Sequence, residues 1–157
     1  MNDLVANLVM REKILTLQDR MMAYVKEHPD AEPELPLRHT FAPGAYARQM
    51  FIPGGTLVVG KIHKHAHLNL LMMGIAVVAT EDGIHTYAAP YVFTSLPGTK
   101  RVVLAMRDLI WVTVHLTELT DPEAIVEEMT VPTYDDFDAL RGIDIEQFCE
   151  AIVRQLP

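Results

Sequence analysis

The sequence predicts a single-domain, mainly β protein: a β-barrel of the jelly-roll kind with helices at its N-terminal and C-terminal ends. Three observations support this fold class. The chain has 157 residues, which is the length of one domain. Its hydrophobic fraction is 50%, which is enough to form a core. Glycine, proline or Asp-Gly also interrupts the middle of the chain every eight to twelve residues or so, a spacing typical of barrels and sandwiches.

The first region, residues 1–36, is predicted to be a helix followed by a linker. Over residues 2–28, the apolar side chains of Ile14, Leu17, Met21 and Val25 recur at the three- and four-residue spacing of one helix face. His28-Pro29-Asp30 is expected to end the helix, because a proline disfavours helical backbone at the residue before it. The proline-rich residues that follow predict an extended linker.

The second region, residues 37–118, is predicted to form the barrel. Glu81-Asp82-Gly83 indicates a hairpin turn between two β-branched segments. Pro53-Gly54-Gly55 and Pro97-Gly98 indicate further turns. We expect strands at about 45–52, 56–62, 64–72, 75–80, 84–88, 91–95, 101–106 and 109–116.

The third region, residues 119–157, is predicted to be a helical extension packed on the barrel or on a partner. Asp121-Pro122 is a favourable helix start, with an N-cap carboxylate followed by proline at the first helical position. Asp144 can cap a last helix with an apolar stripe. That stripe consists of Ile145, Phe148, Ile152 and Leu156.

Composition excludes two classes of partner. The formal net charge is −8 at pH 7, which argues against nucleic acid because phosphate binding needs a basic surface. The longest apolar stretch, Leu68 to Ala79, is too short to span a bilayer. The single cysteine, Cys149, cannot form an intrachain disulfide and is expected to be inert. With no secretion-signal profile at the N-terminus, the sequence predicts a cytoplasmic protein.

Three of the seven histidines occupy alternate positions, His63, His65 and His67. On a regular strand they project to one face. If that face is inward, the barrel encloses a histidine-lined site for a metal or small ligand. Residues two apart start about 6.5–7 Å from each other and can share an ion, whereas a pair four apart starts about 13 Å away and needs a bulge or twist. His115, at the end of another strand, can supply a ligand from across the barrel; the alternative is a solvated face of ordinary histidines.

The residues around this row resemble the first motif of the cupin superfamily, a glycine, a His-x-His, a glutamate and then a glycine. The matching segment runs from Gly60 through His63 and His67 to Gly74, and residues 95–101 resemble the second motif, Pro-x-Gly-x-x-His. The resemblance covers about residues 45–116. It implies a cupin-type barrel with a divalent metal, for which Zn, Fe, Mn or Ni are candidates.

The chain departs from both motifs. The motif glutamate is absent, and Arg101 falls where the second motif has its histidine. Counting back from Gly74, His63 falls at the second histidine and His67 at the glutamate, with Lys61 in the first histidine's place. Another register keeps His63 and His65 as the pair and puts Asn69 near the glutamate. Both registers remain open, and neither reproduces the usual four-ligand set.

Three further residues are candidates for a ligand pocket. Asn69 extends the histidine row, Arg101 follows the Pro97-Gly98 turn, and Trp111 shares strand parity with His115. Arg101 and Trp111 each have an ordinary alternative. The pair Lys100-Arg101 is expected in a solvated loop more often than at an anion, and a lone tryptophan in a β core is usually packing.

Two classes of function follow. The first is a metal-binding protein that acts on, or binds, a small molecule, with the reaction unspecified. The second is a non-catalytic structural or assembly protein of a phage particle. It is suggested by a narrower resemblance of residues 41–48, 60–63, 97–101 and 111–115 to small cupin-like proteins of phages and prophages, which implies a phage origin and a possible place in the virion. A homodimer or higher homo-oligomer is expected in either case, because open sheet edges and apolar helices invite a partner.

Overall fold

The computed structural model describes residues 3–142 together with Glu150 and Arg154. The helix α1 spans Asp3–Glu27, and a short 3-10 helix follows at Pro29–Ala31. The strands are β1 Leu37–Ala42, β2 Ala45–Ile52, β3 Leu57–Val59, β4 Ile62–His63, β5 His67–Met73, β6 Ile75–Thr80, β7 Gly83–Ala88, β8 Tyr91–Ser95, β9 Val102–Ala105, β10 Leu109–Leu116 and β11 Thr130–Val131. Helix α2 spans Pro122–Met129 and α3 spans Tyr134–Leu140.

The strands form two main sheets and a small one. The larger main sheet has the order β1-β2-β10-β5-β8, the other has the order β3-β9-β6-β7, and β11 pairs with β4. Every pair is antiparallel. Non-consecutive neighbours such as β2, β10 and β5 arise from long connections, as in a jelly roll.

Many predicted elements are confirmed. The strands over 45–52, 75–80, 91–95 and 109–116 have the expected bounds, and α1 ends where His28-Pro29 predicts. The hairpin at residues 81–83 joins β6 to β7 with Thr80 opposite Gly83. At the start of α2, the Asp121 carboxylate accepts a 3.0 Å hydrogen bond from the Ala124 backbone N–H. The last predicted helix, its stripe and Cys149 lie outside the described residues.

Several segments differ from the expectation. The predicted strand at 56–62 is interrupted, because β3 ends at Val59 and β4 begins at Ile62. The predicted strand at 64–72 is wrong at its start: the chain leaves extended pairing at residues 64–66, between β4 and β5. The C-terminal region is not wholly helical, because β11 lies between α2 and α3. Strand β1 was missed because all six of its side chains are exposed, so it shows no alternation of apolar and polar residues.

The barrel interior changes from apolar to polar along its length. On β10, Leu109, Trp111, Thr113 and His115 all point inward, while the intervening residues are only partly buried. One end is an apolar cluster. Its members are Ile52, Leu71, Ala76, Val78, Val103, Ala105, Leu109 and Trp111. The polar inward residues lie toward the other end, where β10 finishes at His115.

The C-terminal region packs over β4. Ile62, which is fully buried, forms a core cluster with Val131, Tyr134 and Phe137. The pairing of β11 with β4 places Thr130 opposite His63. This region therefore fixes the segment that carries the first histidine of the row.

Helix α1 is tied to the barrel through Arg11. Its guanidinium lies 3.6 Å from a Glu81 oxygen and 3.7 Å from an Asp138 oxygen, and it stacks over the Tyr134 ring. Over the part of the chain that the structure describes, no helix is both long and apolar enough to cross a bilayer.

Candidate metal centre

Three histidines from three strands meet at the polar end of the barrel. His63 ends β4, His67 begins β5, and His115 lies near the end of β10. Their ring centroids are 4.2 Å apart for His63 and His67, 4.7 Å for His67 and His115, and 5.3 Å for His63 and His115. One ring nitrogen from each lies within 4.8 Å of the other two. We call these three residues the histidine cluster.

His63 and His67 meet because the chain turns between them. Residues 64–66 are not in a strand, so the 13 Å or so expected between positions four apart on a regular strand does not apply. The Lys64 backbone N–H donates to the Met129 carbonyl at 2.8 Å, and its Nζ donates to the Glu127 carbonyl at 2.9 Å. On the other side, the Gly98 N–H donates to the His63 carbonyl at 2.8 Å.

His65, which the alternating pattern grouped with the other two, is exposed and lies outside the cluster. The expectation that all three side chains share one face is wrong, because it assumed an unbroken strand. His65 contributes its backbone instead: its carbonyl oxygen lies 3.3 Å from His67 Nδ1. The register counted back from Gly74, which pairs His63 with His67, names the two histidines of the row that the structure brings together.

The contact with the His65 carbonyl fixes the proton on the His67 ring. A carbonyl oxygen only accepts, so Nδ1 carries the hydrogen and Nε2 keeps its lone pair. Among the described residues, neither the buried His67 Nε2 nor the buried His63 Nδ1 has a hydrogen-bond partner. Buried polar atoms are almost always satisfied, so two such ring nitrogens in one cluster are suited to hold a metal ion.

The cluster is electrically neutral near pH 7. Burial lowers the pKa of His63 to about 2, assisted by the neighbouring His67 and His115. Burial also lowers the pKa of His67 to about 4, with His115 contributing, and that of His115 to about 4, with Arg48 contributing. Neutral imidazole is the form that binds a metal ion.

These residues fit a divalent metal ion. Metal–nitrogen bonds of about 2.1 Å in a tetrahedral site place ligand nitrogens roughly 3.4 Å apart. The three nitrogens lie within 4.8 Å of each other, so small side-chain rotations are enough to bring them onto one ion. If an ion bound here, the three histidines would supply three nitrogen ligands.

A hydrogen-bonded network lies next to the cluster, around the fully buried Asn69. Its Oδ1 accepts from Arg101 Nη1 at 3.1 Å and from Trp111 Nε1 at 3.0 Å. Its Nδ2 donates to Ser95 Oγ at 2.7 Å, and Arg101 Nη2 donates to the same oxygen. The structure thus brings together the three residues that the sequence nominated for a ligand pocket.

The expectation of a solvated loop at Lys100 and Arg101 is wrong. Lys100 is 5% exposed, and its Nζ donates to the Gly60 carbonyl at 2.8 Å. The Arg101 side chain turns into the barrel, where its guanidinium carbon lies 5.5 Å from the Phe93 ring centroid and 5.8 Å from that of Trp111. Burial lowers the pKa of Arg101 to about 10, which leaves it charged at neutral pH.

Sequence reasoning did not single out Tyr46 and Arg48 on β2. Tyr46 is 2% exposed, stacks 6.4 Å from the His115 ring, and its hydroxyl lies 2.7 Å from His39 Nδ1. Arg48 pairs with Thr113 and contributes to the lowered pKa of both His63 and His115. The alternation of side chains along β2 could have identified both residues. Residues 46, 48, 50 and 52 lie on one face, and the apolar Met50 and Ile52 indicate that this face points inward.

A cavity of about 90 Å³ opens beside the cluster inside the barrel. His63, Arg48, Arg101, Thr113 and Trp111 are among the residues that line it. At roughly 30 Å³ for a water molecule in the liquid, the space suits a small ligand.

Comparison with known proteins gives the fold. No family model and no curated protein matches the chain. Among solved structures, ectoine synthase from P. lautus is similar at 18% identity and a TM-score of 0.51, covering 63% of this chain and 75% of that one. A cupin superfamily protein from Desulfitobacterium hafniense DCB-2 covers 54% of this chain and 79% of its own, at 13% identity and a TM-score of 0.47. The match to a Cupin 2 conserved barrel domain protein from Salinispora arenicola CNS-205 covers 62% of this chain and 83% of that one, at 15% identity and a TM-score of 0.46.

At this identity the likeness to ectoine synthase shows the fold and nothing of the activity. The fold class predicted from the sequence, a mainly β barrel of the jelly-roll kind, is confirmed by the strands and their order and by this likeness. The narrower resemblance to phage-encoded proteins finds no support in these likenesses and stays a prediction.

Proposed function

We propose that this protein binds a divalent transition-metal ion through His63, His67 and His115, and presents it to a small ligand in the barrel. The observation that carries the proposal is the convergence of three buried imidazoles from separate strands, with one ring nitrogen of each within 4.8 Å of the others. Imidazole suits Zn, Fe and Ni, and Mn is the further candidate.

When bound, such an ion supplies a Lewis acid that polarises an oxygen atom of the ligand. The chain's own residues do the rest. The His65 carbonyl holds His67 in the tautomer with a free Nε2 lone pair. His63 lines the cavity, so a ligand bound there lies next to the cluster. Ile52, Val103 and Trp111 of the apolar cluster also line this cavity.

Metal content tests the proposal, with His65 as a matched control in the same segment. Purified protein is loaded with zinc, dialysed and analysed for metal by elemental analysis. We expect an equimolar amount in the wild type and in His65→Ala, and substoichiometric metal in His67→Ala and His115→Ala. Equal metal in all four proteins, or loss in His65→Ala alone, contradicts the proposed ligand set.

A structural role is the second candidate, and one observation favours it. Leu68, Met72, Val92 and Leu116 are exposed by 46%, 56%, 60% and 84% on the outer face of β5, β8 and β10. We infer that this face pairs with a second copy of the chain as a homo-oligomer, because adjacent exposed apolar side chains mark interaction surfaces. Membership of a phage particle and a cytoplasmic location stay predictions from the sequence; detection of the chain by mass spectrometry in purified virions tests the first.

A further inference from the structure

The cavity beside the histidine cluster is lined by cations without acids. Arg48, Arg101 and Lys61 line it, and among the described residues no aspartate or glutamate does. The chain as a whole carries a formal charge of −8, so this concentration of positive charge runs against its overall balance. A site of one sign inside low-dielectric walls focuses its field on a ligand of the opposite sign.

Arg101 is charged, mostly buried and lacks an acidic partner within the described residues. Asn69 and Ser95 accept hydrogen bonds from its two terminal nitrogens, and Phe93 and Trp111 present their ring faces. These neutral partners orient the guanidinium without neutralising it. Its Nε is also buried, and no residue that the structure describes forms a hydrogen bond with it. A buried cation is normally paired, because removing it from water costs several kcal/mol.

Arg48, on β2, is a second arginine that lines the cavity. It is mostly buried on β2 and enters no ion pair with a described carboxylate. Both guanidiniums lie close enough to His63 to lower the pKa of its ring. Two unpaired arginines thus flank one cavity, next to three neutral imidazoles.

From this arrangement we propose that Arg48 and Arg101 bind the carboxylate of a small organic acid in the cavity beside His63. The proposal deepens the proposed function and rests on it for the role of this cavity as the ligand site. Guanidinium groups are suited to carboxylates because their N–H donors match the two carboxylate oxygens.

The side chains that line the cavity and its volume limit which organic acids it can bind. Beyond the arginines the walls are apolar, with Met50, Ile52, Val58 and Val103. A volume of about 90 Å³ leaves room for a short chain only. The combination favours a small carboxylate with a short apolar portion over an inorganic anion, which would leave the apolar walls without a partner.

Trp111, the single tryptophan of the chain, reports on this cavity because it lines it. Its fluorescence is followed while propionate is added to chelator-treated protein, with propionamide as a neutral probe of the same shape. We expect saturable binding of propionate and none of propionamide. Arg48→Met and Arg101→Lys should each weaken propionate binding about tenfold or more, the loss expected for charge-assisted hydrogen bonds. Arg38→Met, at an exposed arginine of β1, should leave it unchanged.

Absence of propionate binding, equal binding of propionamide, or unchanged affinity in both folded arginine variants would overturn the proposal. Circular dichroism establishes that each variant is folded, and if Arg101→Lys is not, Arg48→Met decides alone. Sulfate is titrated as a further probe, and tighter binding of sulfate than of propionate would also overturn the assignment to a carboxylate. Because the protein is free of metal here, loss of the metal site and loss of the anion site are separate results.

Discussion

At the scale of single residues, the sequence identified the candidate histidines but did not predict which three of them lie together. His63, His65 and His67 shared a face only on the assumption of a straight strand. The turn at 64–66 excludes His65 and joins His67 to His63, and it is held by backbone contacts to residues distant in sequence. His115 was predictable as an inward residue of β10, whose alternation is regular. That Arg48 and Arg101 form no ion pair with a described carboxylate could not be predicted, because it depends on where the tertiary fold places the aspartate and glutamate side chains.

The histidine cluster should make the metal-free protein sensitive to acid. The pKa of His67 and that of His115 are about 4 when folded, against an ordinary value of 6.5. Below pH 6.5 or so the unfolded chain binds protons that the folded chain excludes, so stability is full above that pH and falls towards pH 4. A tenfold difference in proton affinity between the folded and unfolded chains corresponds to about 1.4 kcal/mol of stability.

Urea denaturation of chelator-treated protein across this pH range measures the loss. The variant His67→Gln, with a side chain that does not titrate, should show a shallower decline than the wild type. His85→Gln, at an exposed histidine of β7, should decline like the wild type. Identical pH profiles in all three proteins would mean that the cluster is not buried as described.

At the scale of elements, strands with regular alternation were predicted well, and short or fully exposed ones were not. Strands β2, β6, β8 and β10 have the bounds expected from the sequence. Strands β4 and β11 have two residues each, too few to show a period. Their pairing depends on tertiary contacts of Ile62 with the α3 region. The C-terminal region therefore helps to hold His63 in the histidine cluster.

Substitutions at two glycines distinguish the effect of the α3 contact from that of backbone strain. Gly98 and Gly55 both have φ of 83°, but a Cβ at Gly98 would lie 2.5 Å from the Phe137 ring, while one at Gly55 meets nothing within 4 Å. We expect Gly55→Ala to cost about 1 kcal/mol of stability from left-handed backbone alone. Gly98→Ala should cost more, because the added Cβ would collide with the Phe137 ring. It should also weaken zinc binding, because the collision would displace the backbone N–H that donates to the His63 carbonyl.

Urea denaturation and zinc titration of both variants measure these effects. Equal zinc affinity in Gly98→Ala and Gly55→Ala would show that the α3 contact does not position His63.

At the scale of the whole molecule, the turn rhythm and strand content predicted a barrel, and the structure confirms it. The strand order did not follow from the sequence, because long connections pair β2 with β10 and β10 with β5. Periodicity identifies which face of a strand is buried, but it does not identify the neighbouring strand.

Self-association belongs to this scale. If the outer face of β5, β8 and β10 pairs with a second copy, sedimentation velocity should give a dimer or larger species for the wild type. Leu116→Glu, at a side chain 84% exposed on that face, should shift it towards monomer. Ile84→Glu, at a side chain 67% exposed on β7, should not. A monomeric wild type at micromolar concentration would contradict the expectation.

X-ray absorption spectroscopy of the zinc-loaded protein tests the central claim most directly, since it counts and identifies the atoms bound to the metal. The structure predicts three imidazole nitrogens at about 2.1 Å, with the remaining positions filled by oxygen. The imidazole signal should be unchanged in His65→Ala. A shell made only of oxygen atoms, or an imidazole signal that falls in His65→Ala, would contradict the assignment of His63, His67 and His115 as one metal site.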